Sequence, residues 1–227
     1  MPATPGPSGS SARAIVAREV DHLLERLQAV SAPSALNLYD ERAGVAAGDR
    51  PGDATRRLDA LRAYLLDHWS APVVLVGEAP GRHGARLTGV PFTSPRLLHG
   101  SGPAEASATV VHRTMAELGA GRRVLLWNAS VLFRRDNLIP LADALAASRE
   151  VLGLATAGRT VYAVGRVAAT ATGAPYLRHP SHGGSRAFAA GLADALGRRA
   201  SGAVTSAGVP PRRSPGHRRP GARHPRR

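Results

Sequence analysis

The sequence predicts an α/β fold, a three-layer α/β/α sandwich around a central, mostly parallel sheet of about four strands. Residues 72–77, 123–127 and 160–165 form short, continuously apolar segments rich in β-branched residues, which are typical of strands buried on both faces of a parallel sheet. Helical patterns separate these segments, and strands that alternate with helices of this length indicate βαβ units. Residues 175–178 are a candidate fourth strand.

The predicted helices follow from apolar residues spaced three and four apart. The first spans residues 12–30, with Ser10 or Ser11 as its N-cap, and residues 33–51 form a loop after it. Five more helices are predicted: from Asp53, as N-cap, to about residue 69; from Pro103, at the first helical position, to 118; from 141 to about 154; 166–172; and 185–198.

Two residue types are missing from the chain, and their absence excludes whole classes of chemistry. The 227 residues contain no cysteine, and all 30 Lys+Arg positions are arginine. Disulfides, thiolate zinc sites, cysteine-ligated iron–sulfur clusters and thiol nucleophiles are therefore excluded. Any mechanism that needs a lysine Schiff base is excluded too. We expect neither a cofactor nor a metal.

The positive charge is concentrated near the C-terminus. The formal net charge is +14, and residues 198–227 hold nine arginines and no acid among many prolines and glycines. This composition predicts a disordered tail over 199–227, after a folded domain over 12–198 and a disordered segment over 1–11. The tail is either a polyanion-binding arm or a product of compositional bias. No apolar run approaches the roughly 20 residues of a membrane span, so we expect a soluble, monomeric, cytoplasmic protein.

The residues that follow the predicted strands carry the candidate chemistry. In a parallel sheet, ligands bind beyond the carboxyl ends of the strands. The segments at that edge are residues 77–81, Asn128, residues 165–166 and residues 179–184. Although the segments at residue 77, residue 128 and residue 179 are about 50 residues apart in sequence, we expect them to converge on one rim.

Four short motifs occur along the chain in the order Gly77-Glu78-Ala79-Pro80-Gly81, Gly89-Val90-Pro91-Phe92, Leu126-Trp127-Asn128 and His179-Pro180-Ser181, within residues 73–184, about half of the chain. In this order they resemble the motifs of the uracil-DNA glycosylase superfamily. The resemblance implies an enzyme that flips a nucleotide out of DNA and hydrolyses the N-glycosidic bond of uracil or a related deaminated base. This is the first step of base excision repair, and it implies DNA as partner and association with the nucleoid.

The resemblance also implies a role for each matching residue. Glu78 positions the attacking water, and His179 donates a hydrogen bond to the uracil oxygen on which charge develops. Phe92 stacks on the flipped base, and Asn128 reads the base through its amide. The DNA backbone is expected to lie against Gly77, Pro80, Gly81, Pro180 and Ser181. The plainer alternatives are an acid that binds loop amides for Glu78, a core ring for Phe92 and a strand-end amide for Asn128.

The chain departs from the family pattern at two positions. Ala79 stands where the best-known branch has an aspartate, and the first motif matches the iron–sulfur branch although the cluster cysteines are missing. Gly183 stands where double-strand enzymes have an apolar wedge. Three explanations are open: His182 or Arg186 acts as the wedge, another loop does, or the preferred substrate is single-stranded. A noncatalytic relative that binds DNA or a damaged base is the main alternative, and a nucleotide-binding α/β protein is a third.

Overall fold

The structure is a computed structural model, and it describes residues 9–46 and 48–202. The strands are β1 (Val73–Gly77), β2 (Val124–Asn128), β3 (Thr160–Val164) and β4 (Tyr176–Leu177). The helices are α1 (Gly9–Gln28), α2 (Glu41–Ala46), α3 (Asp53–His68), α4 (Ala85–Thr88), α5 (Pro95–His99), α6 (Ala106–Glu117), α7 (Ala142–Ala147), α8 (Arg149–Thr156), α9 (Arg166–Thr172) and α10 (Ser185–Gly202). A short 3-10 helix, Gly121–Arg123, precedes β2.

The four strands form a single parallel sheet in the order β2-β1-β3-β4. Val73 is paired with Val124 on one side and with Thr160 on the other, so the three long strands begin at the same level. The predicted α/β class and strand number are confirmed. Since every pairing is parallel, the carboxyl ends of all four strands meet at one edge.

Both faces of the sheet are covered. Val74 and Val76 belong to a core cluster that includes residues of α1, α3 and α8, and their neighbours Val73 and Leu75 face the other way yet are equally buried. Alternation in a strand sends successive side chains to opposite faces, so burial of all of them requires helices on both sides. The predicted three-layer arrangement follows from this.

Several predicted helix boundaries are wrong. Helix α1 begins at Gly9, which places Ser10 and Ser11 inside the helix and not at its N-cap. Gly52, with φ of 86°, is the N-cap of α3, and Asp53 is its first residue. Helix α6 begins at Ala106, so Pro103 lies in the preceding loop. Helices α2, α4 and α5 lie in segments for which the sequence predicted none, α2 within the expected loop at 33–51.

The single helix predicted over 141–154 is two helices, α7 and α8, that meet at Ser148. The Ser148 hydroxyl donates to the carbonyl of Ala144 at 2.7 Å and accepts from the backbone N–H of Val131 at 3.1 Å. A side chain that hydrogen-bonds to a carbonyl four residues earlier competes with the helical ladder. The break also holds the backbone just after β2 in place.

The chain divides into two compact units, one that ends at Ala193 and one that begins at Asp194. The first contains the whole sheet and all residues of the site described below. In the second, the described residues form the last part of α10. Residues 1–8 of the predicted segment 1–11 and residues 203–227 of the predicted tail 199–227 lie outside the described residues, while residues 9–11 belong to α1 and residues 199–202 to α10. Across the described residues, no helix is both long and apolar enough to cross a membrane.

Candidate active site

A cavity of about 440 Å³ opens at the carboxyl edge of the sheet. Pairing continues past the strands there, because the N–H groups of Ala129 and Ser130 donate to the carbonyls of Gly77 and Glu78 at 2.8 and 2.9 Å. These bonds fix the backbone on which Glu78 stands. The lining residues come from the loops after β1, β2, β3 and β4 and from the start of α6: Glu78, Ala79, Pro80, Gly81, Glu105, Ser107, Asn137, Leu138, Gly165, Arg166, His179, Ser181 and His182.

Gly77, Phe92 and Asn128 meet directly beside this cavity. Asn128 is the register partner of Gly77, and a Cβ added at Gly77 would lie 2.4 Å from Cζ of Phe92 and 2.9 Å from Oδ1 of Asn128. The Phe92 ring therefore covers the backbone at the end of β1, where any side chain would displace it. Phe92 is half-buried and Asn128 is 5% exposed. Neither lines the cavity itself.

The turn that carries Phe92 is held from several sides. Phe92 has φ of 53°, a conformation that costs free energy for a residue with a side chain. The hydroxyl of Thr93 donates to the Val90 carbonyl at 2.7 Å, and the Tyr39 hydroxyl donates to the Gly89 carbonyl at 2.5 Å. Such bonds keep the ring in one place over Gly77.

A buried ion pair supports the same turn from below. The Arg57 and Asp49 side chains are 2% and 3% exposed, and Arg57 Nη1 lies 2.7 Å from Asp49 Oδ2. Arg86 Nη2 lies 3.1 Å from the other carboxylate oxygen. Gly89, with φ of 78°, packs against the backbone of Arg57, where a Cβ would lie 2.6 Å from its carbonyl oxygen. The cluster thus ties α3 and α4 to the motif that presents Phe92.

The hydrogen bonds of His179 determine which ring nitrogen carries the proton. The backbone N–H of Ser181, which can only donate, points at Nδ1 of His179 at 3.2 Å, and the Ser181 hydroxyl lies 2.7 Å from the same nitrogen. Nδ1 is therefore an acceptor, so in the neutral ring the proton is on Nε2. Burial, followed by the charges of Arg178 and His182, lowers the pKa of His179, which favours this neutral form. His179 is thus a prepared neutral donor on the cavity wall.

The loop that carries His179 is tightly constrained. Arg178 donates to the carbonyls of His179 and His182 at 3.1 and 3.4 Å, so its guanidinium bridges the two ends of the turn. A Cβ at Gly184 would lie 2.0 Å from the His179 carbonyl oxygen, so the chain can turn here only with glycine. On the other side, Gly165 packs against the His179 ring, where a Cβ would lie at the ordinary contact distance of 3.5 Å from Cδ2.

Glu78 is half-buried on the cavity wall, and burial raises the pKa of its carboxyl group. It follows Gly77 directly, so the residue beneath the Phe92 ring and the carboxylate of the cavity are neighbours in sequence. The predicted residues Glu78, Pro80, Gly81, His179 and Ser181 thus come together around one cavity. A carboxylate and a neutral imidazole donor on one cavity wall can position water and stabilise a developing anion.

Comparison with known proteins identifies the family. The family model for the uracil DNA glycosylase superfamily matches residues 64–200 of this chain. The chain belongs to the uracil DNA glycosylase superfamily. The fold also resembles that of SMUG2 from Pedobacter heparinus, known from a crystal structure of the wild-type protein, with a TM-score of 0.55 and 15% sequence identity over 81% of this chain and 98% of that one. No curated protein matches the sequence significantly.

Membership in this DNA glycosylase-type family gives the remaining predicted residues a context. Gly77 and Pro180 are buried, whereas Gly81 is partly exposed at the cavity. His182 is exposed, lines the cavity and has φ of 50°. Arg186 is exposed on α10 and does not line the cavity. Among the residues that the structure describes, no group of three or more His, Asp or Glu could hold a metal ion.

The cavity contains a second carboxylate, that of Glu105, which the sequence did not indicate. Glu105, the N-cap residue of α6, lies against the first motif, where a Cβ at Gly81 or Gly84 would be 2.2 Å from its carboxylate oxygens. Ser107 donates to one oxygen at 3.2 Å, and the other is buried without a hydrogen-bond partner. Burial raises the pKa of Glu105. The one signal in the sequence is the pair of glycines at 81 and 84. They indicate that another group packs closely against this loop, but they do not show that the group is Glu105.

Proposed function

We propose that this protein is a monofunctional DNA glycosylase that hydrolyses the N-glycosidic bond of uracil, or of a related deaminated base, in the first step of base excision repair. The observation that carries the proposal is the convergence of Glu78 and the neutral donor His179 on one cavity, beside the cluster of Gly77, Phe92 and Asn128. Superfamily membership supports it. The activity needs neither a cofactor nor a metal ion.

In the proposed reaction, a flipped nucleotide enters the cavity and the bond between the sugar carbon and the base nitrogen breaks. Positive charge develops on the sugar and negative charge on the departing base. The Nε2–H of His179 donates to the base oxygen that gains charge, and Glu78 orients a water molecule and takes its proton as the new carbon–oxygen bond forms. A preorganised donor in a partly dry site can supply several kcal/mol of the barrier reduction.

Base selection is assigned to Phe92 and Asn128. The Phe92 ring, fixed over Gly77, offers a flat apolar face for the base, and the Asn128 amide offers both a donor and an acceptor. Uracil presents a carbonyl and an N–H at the edge where cytosine presents an amino group and a bare nitrogen. An amide fixed in one orientation therefore distinguishes the two bases.

DNA backbone contacts are assigned to the loops around the cavity. Pro80, Gly81 and Ser181 line the cavity, the buried Pro180 lies in the same loop as Ser181, and Arg166 is an exposed cation on the cavity wall. Positive side chains and loop backbone groups are the usual ligands of phosphates. Since the chain has no lysine, the product is an intact abasic strand.

The test is single-turnover release of uracil from oligonucleotides at low salt by the full chain and by the Glu78→Gln and His179→Ala variants. Each substitution removes a group that acts mainly in the transition state, so we expect losses of about 10² or more in rate. The control is Ser107→Ala, which removes a cavity hydroxyl outside the proposed chemistry. Failure of the wild-type chain to release uracil from either single or double strands would refute uracil as substrate.

The same assay separates the main alternative, a noncatalytic relative that binds DNA. Such a protein would bind uracil-containing or abasic DNA tightly without forming product. Its affinity would be unchanged by Glu78→Gln and His179→Ala. A panel of deaminated and oxidised bases, tested in both strand forms, separates loss of turnover from a different preferred base.

A further inference from the structure

The loop that follows β2 carries an exposed apolar tip at the mouth of the cavity. Leu138 is 63% exposed and Ile139 is 57% exposed. Leu138 also lines the cavity that contains Glu78 and His179, and Pro140, which follows Ile139, is buried. Two large apolar side chains left open beside a binding cavity mark contact with an apolar part of a partner.

Hydrogen bonds hold this tip in a defined turn. Asn137 has φ of 57°, its N–H donates to the Arg134 carbonyl at 3.0 Å, and its Oδ1 accepts from the backbone N–H of Arg82 at 2.9 Å. The Leu138 N–H donates to Asp136 Oδ1 at 3.0 Å, and the Arg134 guanidinium donates to the Ile139 carbonyl at 2.7 Å. These hydrogen bonds fix the conformation of the tip, so it loses little conformational entropy when it contacts a partner.

The surroundings of the tip are cationic. Arg82 and Arg135 are exposed and joined by a hydrogen bond of 2.8 Å from the Arg82 guanidinium to the Arg135 carbonyl. Arg166 and His182 lie on the same cavity as Leu138. Asp136 of the same loop is paired with Arg134, which leaves Arg82, Arg135 and Arg166 as the exposed cations near the tip. An apolar projection flanked by arginines matches duplex DNA, which has phosphates on its outside and an apolar stack of bases inside.

The opposite loop of the cavity lacks an apolar side chain that could reach the stack. Gly183 has no side chain, its φ is 75°, and a Cβ added there would meet nothing within 4 Å. His182 is exposed but polar, and Pro180 is buried. The space that a flipped nucleotide leaves in a duplex needs an apolar or planar group to fill it. Among residues 179–184, only the His182 ring is available for this.

We propose that Leu138 and Ile139 enter the base stack of duplex DNA and fill the space left by the flipped nucleotide while its base occupies the adjacent cavity. The proposal rests on the proposed glycosylase function. It assigns the wedge to the loop after β2 and leaves His182, on the opposite side, to contact the backbone. The partner is double-stranded DNA, since a single strand has no stack that must be kept open.

The first experiment compares wild type with the double variant L138A/I139A on uracil in one sequence, as a single strand and as a duplex. We expect the single-turnover efficiency on the duplex to fall about tenfold or more, and that on the single strand to change less than about threefold. Leu98→Ala is the matched control, because Leu98 is 45% exposed on α5 and lies outside the cavity. It should leave both activities unchanged.

A second readout does not depend on catalysis. Duplex DNA with 2-aminopurine beside a stable abasic analogue reports by fluorescence whether a side chain fills the gap on binding. We expect wild type and Leu98→Ala to change this fluorescence and L138A/I139A to lose most of the change. If wild type releases no uracil from either strand form, the proposed function fails while this fluorescence still tests the wedge.

Three results would overturn the wedge assignment. The first is an equal loss, or no loss, on single and double strands in L138A/I139A. The second is a duplex-specific loss in His182→Ala or Arg186→Ala with full activity in L138A/I139A. The third is a wild-type protein active on single strands alone.

Discussion

Replacing Gly77 by alanine tests whether the cluster beside the cavity belongs to the site. The added Cβ would lie 2.4 and 2.6 Å from Cζ and Cε2 of Phe92 and 2.9 Å from Oδ1 of Asn128. Carbon atoms in contact are about 3.5 Å apart, so the ring must move by about 1 Å. A misplacement of that size can reduce an enzymatic rate by about 10²-fold. We expect a loss of this order in the single-turnover rate of uracil release.

The cost in stability should be smaller. Overpacking of this kind costs about 1–3 kcal/mol, and Phe92 is only half-buried, so the ring can move toward solvent. Urea unfolding of wild type and Gly77→Ala measures this cost directly. Gly153→Ala is the matched control, because Gly153 lies in α8 with nothing near its missing Cβ. Alanine should raise stability there by about 0.5–1 kcal/mol and leave the rate unchanged.

A double variant separates the clash from the function. Gly77→Ala with Phe92→Leu removes the two closest contacts of the new Cβ, those with the ring, and leaves the one with Asn128, so part of the stability lost in the single variant should return. The activity should stay low, because the flat ring that we propose to stack on the base is gone. A Gly77→Ala protein that is folded and as active as wild type, within about threefold, would show that Phe92 and Asn128 do not act in the site.

The remaining predictions concern pH, base selectivity and support of the site. Burial raises the pKa of Glu78, and the carboxylate is the working form in the proposed mechanism, so activity should fall with decreasing pH at a pH above the ordinary glutamate value of 4.5. Single-turnover pH profiles should lose this acid limb in Glu78→Gln and keep it in Glu105→Gln. Asn128→Asp should shift selectivity toward cytosine, since a carboxylate accepts a hydrogen bond from the cytosine amino group. Competition between uracil and cytosine substrates measures this selectivity. Unchanged discrimination would show that Asn128 does not read the base. Arg57→Met leaves Asp49 buried with one cation instead of two, and it should lower the free energy of unfolding, measured with urea, by about 3 kcal/mol. An unchanged urea midpoint would mean that the ion pair contributes nothing to stability.

The sheet could be predicted from the sequence because its signal is local. Each long strand is a continuous apolar segment, and burial on both faces requires just that pattern. Helix boundaries were predicted less well, because they depend on contacts that are distant in sequence. Ser148 ends α7 while its hydroxyl binds the backbone of Val131, 17 residues away, and no periodicity within 141–154 indicates this.

The site residues that lie in motifs at the ends of strands could be predicted from the sequence. Glu78 and His179 are on one cavity because parallel strands end at one edge. Glu105 could not be predicted, since its contact with Gly81 spans 24 residues of chain and depends on how the loop before α6 folds back. Leu138 was also missed. The segment from 134 to 140 has no periodic pattern, and its place at the cavity follows from hydrogen bonds to Arg82 in another loop.

The central claim is that Glu78 and His179 act together in the cavity to release a base from DNA. The most direct measurement is single-turnover release of uracil by wild type, by Glu78→Gln, by His179→Ala and by the double variant. We predict release by wild type with an intact abasic strand, a loss of about 10² or more in each single variant, and a combined loss smaller than the product of the two. Release by both single variants at the wild-type rate would contradict the account.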